Sequence, residues 1–161
     1  MRKSIVLLAA MALVVAWAVP AAAFWEEGMD FKMHYPQLPD ATPTGWDVLS
    51  SGLCEAPVCR VADDFQCTET GWVKDIHFWG SWKDDMVGVI DHFRLEIYTN
   101  DASGPFSQPG QMIWWYDWPF DPAHVIPFQA AGEGWWDPCT PEVIPDNHGL
   151  YYQYNIYLPQ A

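Results

Sequence analysis

Positive charge is what this chain has least of. Lys and Arg number 7 against 21 Asp and Glu in 161 residues, a net charge of −14. Two of the seven, Arg2 and Lys3, stand at the N-terminus, where no acidic residue occurs before Phe24. The remaining five face all 21 acidic residues, so residues 24–161 carry −16. Such a surface repels phosphate backbones and anionic lipid, which excludes nucleic acid as a partner and argues against docking on a membrane surface. Beyond Ala23 no apolar run is long enough to span a bilayer. No apolar stripe with a 3.6-residue period survives the recurring Pro, Gly and Asp, so no helix of ordinary length is predicted there.

Catalytic and metal signatures are missing too. There is no Gly-x-Ser-x-Gly elbow around Ser51, Ser81, Ser103 or Ser107, which removes the local mark of a serine hydrolase. The five histidines (His34, His77, His92, His124 and His148) show neither HxH nor HExxH spacing. The four cysteines form no pair of CxxC-like pairs, which argues against structural zinc.

What is present begins with export. Arg2 and Lys3 precede an unbroken apolar run from Ile5 to Val19, then Pro20 and Ala21-Ala22-Ala23. This is the three-part pattern of a secretory signal peptide over residues 1–23, with cleavage expected after Ala23. The run is shorter than the roughly 20 residues of a membrane-spanning helix. The expected product is a secreted, extracellular or periplasmic chain starting at Phe24, without a transmembrane segment.

The exported part is 24–161. The whole sequence is 50% hydrophobic and 16% aromatic with 11 Trp, which is not the composition of a disordered acidic chain. Residues 24–57 are Pro- and aromatic-rich without a period and read as an extended leader anchored by Trp25, Phe31, Tyr35 and Trp46. Residues 58–161 read as the folded domain. Strands are predicted over Val58–Cys67, Val73–Trp82, Val89–Thr99, Met112–Trp118 and Tyr151–Leu158. The clearest is Val89–Thr99, where Phe93, Leu95 and Ile97 alternate with His92, Arg94, Glu96 and Tyr98. In Val73–Trp82 the alternation fails at Trp79, which falls on the polar face with Asp75 and His77. Turn clusters separate the strands at Lys83-Asp84-Asp85, Asn100–Gly104 and Asp146–Gly149. The fold class is therefore all-β, an antiparallel β-sandwich of jelly-roll type. The last predicted strand closes the sequence, so it is either a sheet edge or the end of a C-terminally truncated sandwich. An unpaired edge would invite a second chain to pair with it.

An even count of cysteines in an exported chain predicts disulfides. Three pairings are open: Cys54 and Cys59 bracket a loop short enough for one bridge, which would leave Cys67 and Cys139 for the other, and free thiols are the alternative in a compartment that is not oxidising.

The sequence resembles a domain of unknown function found in secreted bacterial proteins, whose members often carry a C-terminal Pro-Glu-Pro sorting signal. The resemblance rests on Lys32–Asp40 (KMHYPQLPD), Gly45–Val48 (GWDV), Val61–Gly71 (VADDFQCTETG), Val73–Trp82 (VKDIHFWGSW), Phe93–Tyr98 (FRLEIY), Ser107–Gly110 (SQPG) and Tyr151–Ile156 (YYQYNI). It implies an extracellular β-sandwich and no assigned activity. Members continue past the last of these segments into further strands, which favours truncation here. The Cys54/Cys59 loop looks like an insertion.

The expected function is thus a non-catalytic, secreted or cell-surface module with no catalytic residue. Its candidate partners are a glycan or another cell-surface protein. Two sets of side chains invite more. Trp114, Trp115, Trp118, Trp135 and Trp136 are dense, and an exposed tryptophan beside carboxylates can stack on a sugar ring. Adjacent residues of a strand face opposite ways, so one of Trp114 and Trp115 is expected in the core and the other outside. The plainer reading of all five is core packing. Asp63, Asp64, Asp84, Asp85 and Asp101 lie near turns and offer hard oxygen ligands for one structural calcium ion. The plainer reading is solvated acidic loops. A secreted hydrolase is a third reading, weakened because Asp63 and Asp64 would point to opposite faces of a strand.

Overall fold

A computed structural model describes residues 24–29, 37–51, 59–67, 69–140 and 142–159. Residues 1–23, Phe31, Tyr35 and Cys54 lie outside the described residues, as does most of the short loop that ends at Cys59. Six strands are present: β1 (Trp46–Val48), β2 (Asp75–Ser81), β3 (His92–Asp101), β4 (Gln108–Pro119), β5 (Val125–Asp137) and β6 (Glu142–Tyr157). Single 3-10 turns at Lys83–Asp85 and Pro122–His124 are the helical pieces among the described residues, and no helix there is long and apolar enough to cross a membrane. The strands form a four-stranded sheet, β1-β5-β6-β2, and a two-stranded ribbon, β3-β4. All pairings are antiparallel except β1 with β5. The all-β class and the two-layer arrangement expected of a sandwich are both present, although the four-stranded sheet is mixed.

The core lies between the two layers and follows from period-two patterning. Phe93, Leu95 and Ile97 of β3 stand opposite Trp118, Tyr116 and Trp114 of β4. That face meets Ile76 and Phe78 of β2 and Ile156 of β6, with Leu158 just beyond that strand. Rings lock the layers together: Phe93 lies 5.0 Å from Phe78 and 5.1 Å from Tyr154, edge to face in both cases. Burial pushes the Tyr154 hydroxyl up to about 12.

The irregular position in β2 also has a cause. Trp79 pairs with Gln153 on the far side of the sheet and meets Trp25 edge to face at 5.5 Å. The Gln153 amide donates to the Trp25 carbonyl at 3.0 Å, and the Trp25 N–H reaches Asn155 Oδ1 at 3.5 Å. Asn155 also donates to the His124 carbonyl at 3.1 Å. Trp25 therefore docks across the sheet, and its backbone satisfies two fully buried amides. Both faces of β2 are covered there, which is why the alternation breaks at Trp79.

Several boundaries differ from expectation. Val58–Cys67 is no ladder strand: its described part makes isolated bridges at Cys59, with Ser51, and at Cys67. β1 emerges from what reads as leader. β5 is unpredicted, because Pro127, Gly132 and Gly134 break the strand signal. Pro127 is tolerated because β1 pairs with β5 only at residues 134–136, leaving that side of Pro127 without a neighbour strand among the described residues. β6 begins nine residues earlier than its predicted start at Tyr151. It runs through the Asp146–Gly149 cluster by a bulge, with Asp146 at φ 50° opposite Gly132 at φ 83°. β6 is also not an edge; it lies between β5 and β2.

The disulfide differs too. Cys59 is bonded to Cys139, while Cys67 is an exposed free thiol. The Cys54–Cys59 and Cys67–Cys139 pairing therefore does not hold. Loop shortness was the wrong criterion, because the chain brings the segment after the loop to the β5–β6 turn. There the Asp137 carboxylate accepts from Thr140 Oγ1 at 2.8 Å and from the Cys139 N–H at 2.8 Å.

Candidate functional site

The outward face of the β3–β4 ribbon gathers the most functional chemistry. Its register places Arg94 opposite Asp117 and Glu96 opposite Trp115. Four residues of alternating side chains therefore share one flat face, while their neighbours fill the core. Arg94 Nη1 lies 3.2 Å from both Asp117 oxygens, and Arg94 Nε donates to Glu96 Oε1 at 3.0 Å. Glu96 Oε2 accepts from Arg60 Nη1 at 2.8 Å and from the Tyr98 hydroxyl at 2.7 Å. The hydrogen bonds from Tyr98 and Arg94, with the charge of Arg60, hold the Glu96 carboxyl below the usual glutamate range. The Arg94 guanidinium stands 4.4 Å from the Trp115 ring centre, a cation–π contact. Trp115 remains 52% exposed. In a chain so poor in basic residues, two of the five beyond Ala23 converge on this one face.

The five tryptophans singled out by sequence divide between core and surface. Trp114 packs on the core and Trp115 faces solvent, as adjacent strand positions require. Trp118 and Trp135 are buried. Trp136 is partly exposed on the other sheet, in a row with Val48 of β1 and Val143 of β6. The structure thus does not assemble the five into one platform.

Among the described residues the five aspartates do not converge on one point either. Asp63 accepts from the Asp64 N–H, and Asp101 from the Ser103 N–H. Asp84 and Asn147 exchange hydrogen bonds of 3.0 and 2.7 Å. Asp85 accepts from the backbone N–H groups of Gly149 and Leu150 at 3.0 Å each. These contacts pin the bulged part of β6 to the Lys83–Asp85 turn. Asp85→Ala is expected to cost about 1 kcal/mol, read by urea unfolding. Unchanged stability would show that the pin is idle.

A second cluster joins residues that sequence reading left apart. Asp47 of β1, Glu133 of β5 and His148 of β6 meet beneath the four-stranded sheet. The register carries them there, since β1 pairs with β5 in parallel and Glu133 stands opposite His148. A turn delivers Asp47: Asp40 accepts from Thr42 and Thr44, and a Cβ at Gly45 would collide with the Asp40 carbonyl. His148 Nε2 lies 3.1 Å from Glu133 Oε2 and 3.3 Å from Asp47 Oδ2. Burial raises the Glu133 carboxyl above its ordinary range, and the charges of Asp47 and Asp40 push the same way against the His148 hydrogen bond. No local spacing could have revealed this cluster, because each member comes from a different strand.

Neither a curated protein nor a solved structure matches this chain. Residues 33–161 match the family described as domain of unknown function DUF7901, and the chain belongs to that family.

Proposed function

We propose that this chain is an exported, non-catalytic β-sandwich module that binds carbohydrate on the outer face of the β3–β4 ribbon. The observation that carries the reading is Trp115, half-exposed on a flat strand face and ringed by Arg94, Glu96 and Asp117. A sugar ring offers an apolar C–H face to stack on an indole and hydroxyls to pair with carboxylate and guanidinium groups. Glu96 is held ionised, so it suits accepting hydroxyl protons and not donating one to a leaving group. Export is supported by the N-terminal signal pattern and by the disulfide, a bond that persists in oxidising compartments.

The test is glycan-array or affinity retention of the exported chain. Trp115→Ala is expected to weaken retention by about 2 kcal/mol, roughly thirty-fold, as loss of a central aromatic anchor does. Trp136→Ala, on the other sheet, is expected to leave retention unchanged. Absence of retention by the parent chain, or equal retention by both variants, would refute the reading. Capture of a cell-surface protein that Trp115→Ala abolishes, with no glycan retained, would move the same face to a protein partner.

A further inference from the structure

We propose that Asp47, Glu133 and His148 form a binding site for one divalent transition-metal ion of the zinc class. His148 has a fully buried side chain, Glu133 is 2% exposed, and the Asp47 side chain is 31% exposed. Glu133 Oε1, Asp47 Oδ2 and His148 Nδ1 are buried with no hydrogen-bond partner among the described residues. Buried polar atoms of native proteins are almost always satisfied, and the unpartnered carboxylate oxygens of Glu133 and Asp47 beside His148 Nε2 call for an occupant, whereas Nδ1 diverges from Nε2 across the ring and lies outside that occupant's reach.

Protons satisfy this arrangement poorly. If the imidazole carries its hydrogen on Nδ1, the Nε2 lone pair faces two carboxylate oxygens, so three acceptors converge with no donor between them. If the hydrogen sits on Nε2, one donor must serve two carboxylates. If both nitrogens are protonated, the single Nε2 donor still has to serve two carboxylates. A divalent ion resolves the conflict, since it accepts one lone pair from each group and matches the two carboxylate charges. The spacing agrees. Ligand atoms about 2.1 Å from one ion stand about 3.0 Å apart at a right angle and about 3.4 Å apart at the tetrahedral angle. The two separations from His148 Nε2 are 3.1 and 3.3 Å, and all three ligand atoms lie within 4.8 Å of one another.

The donor set selects the metal. One imidazole nitrogen with two carboxylate oxygens suits zinc and its neighbours, whereas calcium takes six to eight oxygens. The Asp47 side chain, 31% exposed, is the most solvent-accessible of the three. The other cluster of potential ligands, Cys59, Asp137 and Cys139, is different, because its two sulfurs are bonded to each other. The role that follows for the triad is structural: one ion would tie β1, β5 and β6 together where the β5–β6 register shifts.

The test is calorimetric titration of the exported chain with Zn²⁺ after chelator treatment. The expected result is one equivalent bound per chain. Asp47→Asn and His148→Gln are expected to lower the affinity at least roughly ten-fold, with the near-ultraviolet circular dichroism of the parent retained. Should His148→Gln fail to fold, Asp47→Asn decides, because its carboxylate is partly exposed. Co²⁺ should give a visible d–d absorption band that Asp47→Asn perturbs. The proposal is overturned by no saturable uptake of either ion, by equal uptake in parent and variants, or by calcium displacing zinc at comparable concentration.

Discussion

Replacing both Cys59 and Cys139 by Ser is expected to remove about 4 kcal/mol of stability. The bridge closes a loop of 80 residues, and the entropy it withdraws from the unfolded chain grows with the logarithm of that length. A native-state consequence reinforces the effect. Residues 59–67 pair with the sheets at no more than isolated bridges, so the disulfide is their main attachment to the β5–β6 turn. The loss should appear as a lower denaturation midpoint in the double variant, with a slope that rises because the unlinked unfolded chain exposes more surface. Non-reducing peptide mapping is the companion measurement. A linked Cys54–Cys59 peptide, or a double variant as stable as the parent, would defeat the expectation.

Ile156→Ala should cost nearly as much, about 3 kcal/mol. Ile156 has no exposed surface. It stands opposite Ile76 in the β2–β6 register and belongs to the cluster with Trp118 and Leu158. Removing three carbons there leaves a hollow between the layers, walled by aromatic rings that are themselves locked against one another and cannot collapse into it. The control is Val89→Ala, at a position almost fully exposed, which should change stability by no more than about 0.5 kcal/mol. Similar losses at both positions would mean that the described core is not the one that holds the fold.

How far the sequence could be read depended on how local each signal was. β3 and the tryptophan run of β4 were legible because one face of the ribbon is buried and the other is wet, which writes period two into the residues. The same rule divided Trp114 from Trp115. It failed where both faces are covered, as at Trp79, and where glycine and proline do the work of a bulge or an unpaired side, as in β5. The cysteine pairing and the Asp47–Glu133–His148 cluster were illegible for a different reason. They depend on which strand lies beside which, and strand order is not encoded in any short window. Of the acidic turns, Lys83–Asp85 is a turn, whereas Asp146–Gly149 is a bulged part of β6. The carboxylates of Asp63, Asp85 and Asp101 bind backbone N–H groups and that of Asp84 the Asn147 amide, uses that composition cannot tell from cation binding.

The central place of β6 also sets the timing of assembly. It is the last of the described strands to be synthesised, yet both β2 and β5 take it as their long partner. Until it emerges, β2 has nothing to pair with and β5 has only three residues of β1. Contacts this distant along the chain make folding slow, since loop closure must precede any ladder. For a polypeptide threaded through a translocation channel, that delay is useful. In a chain exported as proposed above, the main sheet would not close before β6 has been made, so the chain would stay translocatable until then, and the Cys59–Cys139 bridge would form afterwards on the oxidising side.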